Sequence, residues 1–166
     1  MFKTCLRAGG LLLAAGALVA LASGCGGHKG PVLYSVKGSV RINGEPAKDV
    51  NVVFTPVTLP ADGATPLSPA AVTGEDGSFR LMSFEPGDGA PAGDYQVTVI
   101  YPMNRFNKHL SGIDRLRGKF ANPKTSGLTA KVEAKSNDLP PFDLKANVLP
   151  PQTSVDPVKL RKKFRA

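Results

Sequence analysis

The stretch VKGSVRINGEPAKDVNVVFTP, Val36 to Pro56, alternates apolar and polar residues on either side of an Asn-Gly pair. Val36, Gly38, Val40 and Ile42 share one face, and Lys37, Ser39 and Arg41 the other, the period of a half-buried strand. Asn43-Gly44 is the strongest short turn signal, because both residues tolerate a positive φ. Val50, Val52 and Phe54 then resume the alternation. These 21 residues therefore predict two strands of a sheet buried on one side.

Outward from this stretch the same pattern recurs between breakers. PVTLPADGATPLSP has Pro56, Pro60, Pro66 and Pro69, which exclude regular structure. AAVTGEDGSFRLMSF reads as a hairpin: a strand around Ala71 to Thr73, a Glu75-Asp76-Gly77 turn, and a return with Phe79 and Leu81 inward. After the loop EPGDGAPAG, DYQVTVIY places Tyr95, Val97 and Val99 on one face. LTAKVEA and FDLKA are two later strands separated by the turn KSNDLPP. Gly93-Asp94-Tyr95 at a strand start suits either a tyrosine corner or a plain core tyrosine. About seven short strands without a helix predict an all-β fold, a single antiparallel β-sandwich.

The N-terminus is of another kind. Lys3 and Arg7 precede an unbroken small-apolar run, residues 8–22, and Ser23-Gly24 is a small-residue junction. That is the plan of a helical export signal, and fifteen residues fall short of the roughly twenty that a membrane span needs. Leu21-Ala22-Ser23-Gly24-Cys25 resembles a bacterial lipobox, with Ala22 where the commonest pattern has leucine. The resemblance implies cleavage after residue 24 and a thioether-linked diacylglycerol on Cys25, a reaction that uses sulfur as the nucleophile. Two acyl chains would hold the chain to a membrane by something on the order of 20 kcal/mol. Gly26 in place of an aspartate leans, by the same resemblance, toward the outer membrane. Cys5 leaves with the leader, so no disulfide is expected.

VKGSVRINGEPAKDVNVVFTP, TGEDGSFRL and AGDYQVTV together resemble the transthyretin-like or carboxypeptidase-regulatory-like β-sandwiches of envelope lipoproteins. KFANPKTSGLTAKV with FDLK resembles the closing segment of one such group. The implied organisation is a cleaved leader over 1–24, a lipidated cysteine and tether over 25–33, a Greek-key sandwich over 34–147, and a proline-containing linker with a basic tail over 148–166. Members of this fold are mostly accessory, non-catalytic modules, and fold alone does not confer function.

Candidate chemistry is sparse. His28 falls in the tether and His109 has no second histidine or cysteine near it in sequence, so neither a metal nor a cofactor is expected. Ser111, His109 and Asp114 lie too close in sequence for a triad, there is no G-x-S-x-G elbow, and GEDGS lacks the alternate-residue ligands of a calcium loop. No catalytic residue is assigned. The 27 residues from Tyr101 to Gly127 are long for a connection, and such loops are often functional. They carry Arg105, Lys108, His109, Arg115, Arg117 and Lys119 against one acid, Asp114. This reads as a cationic, amide-bearing surface for an envelope glycan or protein partner, or as a crossover whose Leu110, Ile113, Leu116 and Phe120 plug the core through a short helical turn.

The net charge of +8 is unevenly placed. The last eleven residues hold Lys159, Arg161, Lys162, Lys163 and Arg165 against Asp156, and without them and the leader the chain is nearly neutral. Near an anionic surface such a run contributes about 1 kcal/mol per basic residue. It is a candidate polyanion contact, secondary to the lipid. Nucleic acid is not an expected partner, because no aromatic stacking set accompanies the basic run. The expected function is a non-catalytic binding or structural module on a membrane. The alternatives are polyanion or cell-wall binding through the tail, or an envelope enzyme acting on glycan or peptide.

Overall fold

The structure is a computed structural model that describes residues 30–59 and 65–152. The leader, Cys25, His28 and the basic tail with Lys159, Arg161, Lys162, Lys163 and Arg165 lie outside the described residues. In chain order the strands are β1 (Leu33–Tyr34), β2 (Val36–Ile42), β3 (Glu45–Pro46), β4 (Asn51–Pro56), β5 (Ala70–Val72) and β6 (Ser78–Arg80). They continue with β7 (Ala90–Pro91), β8 (Gly93–Ile100), β9 (Leu128–Val132), β10 (Asn137–Asp138) and β11 (Phe142–Leu144). Among the described residues there is no helix, and seven of these strands are three residues or longer. The fold is an all-β sandwich.

One sheet is antiparallel throughout, in the order β5-β4-β8-β9. The other is built around β2. Its even-numbered residues bond toward β6 and β3: Leu81 N donates to Val36 O, and Val40 N to Gly77 O. The odd-numbered residues bond toward β10 and β11, where Asn137 N donates to Ser35 O and Asn43 N to Leu144 O. These last two pairings are parallel, so the chain's final strands return beside β2 in its own direction. This parallel return departs from the wholly antiparallel pairing expected from sequence, although the large ladders are antiparallel. β1 and β7 form a separate small antiparallel pair.

The alternation read from sequence becomes the core. Val36, Val40, Ile42, Val50, Val52, Phe54, Phe79, Leu81, Tyr95, Val97 and Val99 are all buried. Phe54 lies 5.7 Å from Tyr95 within its own sheet and 6.4 Å from both Phe79 and Phe142 of the facing sheet. Aromatic rings at such separations hold the two layers together beyond their area alone. Gly38 pairs with Phe79 across β2 and β6, and a Cβ at Gly38 would stand 2.7 Å from that ring. Both readings of Tyr95 are realised: it is buried, and its Oη donates to Pro91 O at 2.8 Å, a bond to backbone a few residues upstream. Burial pushes its phenol above the usual range.

Three local expectations are corrected. Ala71–Thr73 and Phe79–Leu81 do not pair as one hairpin, since β5 joins β4 and β6 joins β2. The arm that ends β5 is held instead by the buried Thr73, whose Oγ1 accepts from Val50 N and donates to Ala47 O in the β3–β4 connection. The bridge Ala70–Met82 and the Gly74 N bond to Ser78 O still connect the two arms. KSNDLPP is not purely a turn, because it contains β10; the buried Asn137 side chain bonds Glu133 N, Glu133 O and Lys135 O and sets this corner. Finally, the 101–127 segment forms no helix, only single turns such as the one closed by Ser111 N on Asn107 O. Leu110, Leu116 and Phe120 do plug the core end, but Ile113 is exposed.

Candidate functional site

The segment from Tyr101 to Gly127 is a folded cap on one end of the sandwich. It leaves β8 at Ile100, turns, and comes back on itself: Met103 N donates to Ile113 O at 2.8 Å and Arg115 N to Tyr101 O at 2.7 Å. Its single acid organises it. Asp114 Oδ1 accepts from the amides of Tyr101 and Leu116, and Oδ2 from Gly118, at 2.8–3.0 Å. Three backbone donors, that of the buried Leu116 among them, are thereby closed by one side chain. The side-chain amides serve the same end. Asn104, Asn107 and Asn122 each accept a backbone N–H two residues on, the bond of an Asx turn.

The cations divide into two groups. Arg105 pairs with Asp49 at 3.2 Å, and Arg115 lies 4.0 Å over the Tyr101 ring while its Nε donates to Leu149 O. Leu149 N donates in return to Arg115 O, and Lys119 Nζ donates to Lys145 O, so the cap fastens the chain that leaves β11. Arg105, Arg115 and Lys119 are thus engaged in holding the cap. Lys108, His109 and Arg117 are exposed, Arg117 with a left-handed φ of 56°. Phe106, two residues before Lys108, is 87% exposed, with the Arg105 guanidinium 5.6 Å from its ring centroid. The sequence reading passed over Phe106; an aromatic among loop cations and turn-forming asparagines was the available signal. The cap therefore presents an open aromatic face and nearby cations, a surface that can stack on a ring and attract an anion.

No catalytic arrangement is assembled from Ser111, His109 and Asp114. Both oxygens of Asp114 face backbone amides, and Ser111 Oγ donates to Lys108 O. Among the described residues no three His, Cys, Asp or Glu side chains gather in a way that would hold a metal ion.

Two surface grooves went unread in the sequence. The outer face of the four-stranded sheet carries an apolar groove of about 620 Å³ over Val53, Val72, Met82 and Ile100, with Arg80 at its rim. The outer face of the other sheet carries a mixed one of about 380 Å³ over Lys37, Ser39, Asp138, Leu139 and Pro141, again lined by Arg80. Each arises from the outward half of an alternating strand, the half that hydrophobic patterning leaves undetermined.

No family model and no curated protein matches the chain. Solved structures with a local likeness include a DUF3823 family protein from Parabacteroides merdae, 13% identical, covering 72% of this chain and 48% of that one at a TM-score of 0.37. An (S)-allantoin synthase is 18% identical, covering 69% and 41%, with a TM-score of 0.40. A 9R-lipoxygenase from Cyanothece is 14% identical, covering 78% and 18%, with a TM-score of 0.38. The chain spans less than half the length of each of these, and likenesses at this level carry no statement about its chemistry.

Proposed function

We propose that this chain is a bacterial envelope lipoprotein, anchored through diacylglycerol on Cys25 in the outer membrane, whose transthyretin-like sandwich is a non-catalytic binding module. The observation that carries the reading is the placement of its ends. Leu33 and Tyr34 pair with Pro91 and Ala90 beside the start of β8, whereas the cap follows the end of β8. Eight residues of β8 separate the two, about 25 Å of extended chain. A lipid on Cys25 would tether the first end, and Phe106, Lys108, His109 and Arg117 would be displayed from the second. The partner such a surface suits is an anionic envelope glycan, whose rings stack on Phe106 and whose carboxylates meet the exposed cations.

A second reading, polyanion binding through Lys159, Arg161, Lys162, Lys163 and Arg165, is favoured by one contact. Leu149 is fastened to Arg115, so the chain toward the tail departs from the cap end. Both cationic elements would then point the same way.

The anchoring half of the proposal is tested by growing cells on radiolabelled palmitate and fractionating them. The wild-type chain is expected to carry label and sediment with membranes, and Cys25→Ala to lose the label. An unlabelled wild-type chain would contradict it.

A further inference from the structure

We infer that the end of the sandwich opposite the cap is a membrane seat, a surface that rests on the bilayer holding the Cys25 lipid. The inference builds on the anchoring reading above. Val57 N donates to Asp94 O, one step past the Pro56–Tyr95 pair, which places Val57 at the start of β8. Val32 stands one step before the Leu33–Pro91 pair, at the register position of Ala92 within the Pro91–Asp94 segment. Both are exposed, Val32 by 70% and Val57 by 57%, and Leu59 two residues on is exposed by 69%. Isolated exposed aliphatics need no explanation, but three flanking one short segment form a patch. Asp94, the carboxylate in that segment, lies opposite Lys131 in the strand register, so an anionic group here has a cation across from it.

What covers the patch follows from chain length. Cys25 and Val32 are seven residues apart, at most about 25 Å even when fully extended. A lipid-anchored chain cannot carry Val32 farther than that from the headgroups, so the surface this end meets most often is the bilayer itself. Apolar side chains at a lipid interface insert to the headgroup–acyl boundary, roughly 5–10 Å deep. Seating would convert a loose tether into a fixed orientation, with the cap facing away from the membrane.

The protein has no tryptophan, which makes the test direct. Full-length Leu59→Trp and Phe106→Trp variants, purified from membranes and reconstituted into vesicles, each carry a single indole. Vesicles with brominated acyl chains are expected to dim the Leu59→Trp variant about twofold, as interfacial insertion requires, and to leave Phe106→Trp unchanged. Equal emission of the Leu59→Trp variant with and without bromine would overturn the seat. The mass of the same samples reports whether Cys25 carries lipid. A lipidated chain that stays bright refutes the seat alone, and an unlipidated chain refutes the anchoring reading.

Discussion

At Gly38 one added carbon would stand 2.7 Å from the Phe79 ring, and that ring stacks on Phe142 at 6.3 Å. A buried ring held on both sides has nowhere to withdraw, so Gly38→Val is expected to cost about 1–3 kcal/mol as an overpacked core does. A urea titration reads it as a lower midpoint with an unchanged slope. Tyr95→Phe keeps the packing and removes the bond to Pro91 O, for an expected loss of about 1 kcal/mol. Asp88 contributes to the response to acid. Burial pushes its carboxyl up, but the amides of Ser83, Glu85, Phe84 and Gly89 together outweigh this and hold it below the usual range. A carboxyl that binds its proton less readily when folded stabilises the fold above its unfolded value, near pH 4. That contribution is lost as pH falls through the lower, folded value. Stability should therefore decline below about pH 4, and more gently in Asp88→Asn, which a series of urea midpoints against pH would show.

At the scale of elements, what was legible in sequence was what is local. The alternation of β2, β4 and β8 survives intact because a period of two reports which face is buried whatever the partner. Partner choice was not legible, because it depends on residues far away. The Glu75-Asp76-Gly77 turn is where the sequence placed it, yet its arms enter different sheets, the one that ends β5 held by the buried hydroxyl of Thr73 reaching Ala47 and Val50. β10 was hidden because a strand of two residues has no period. The cap shows the same limit for charge: counting cations could not tell Arg115, stacked and bonded, from Lys108, which faces solvent. Nor could counting reveal that Asp114 is a fastener. Asp114→Ala is expected to raise amide exchange about tenfold or more at Tyr101, Leu116 and Gly118, the signature of a local opening made about 1–3 kcal/mol easier. Core amides such as that of Val97 should exchange as before.

At the scale of the whole molecule, the sandwich has two unlike ends. One receives the chain from the tether and is rimmed by Val32, Val57 and Leu59; the other is closed by the cap and releases the chain toward the basic tail. The central claim is that the folded cap, rather than the tail, recognises an envelope polymer. Its most direct test is co-sedimentation of the Cys25→Ala chain with purified, carboxylate-bearing cell-wall material across a salt series. Beside it run a truncation after Gln152 and a Phe106→Ala/Lys108→Ser/Arg117→Ser variant. Stacking and two exposed cations together amount to roughly 1–3 kcal/mol. Binding should therefore persist after truncation, fall only in part at high salt because stacking on Phe106 survives screening, and weaken about tenfold or more in the triple variant. Binding that disappears with the tail or with salt, and is untouched by the cap substitutions, would contradict the account.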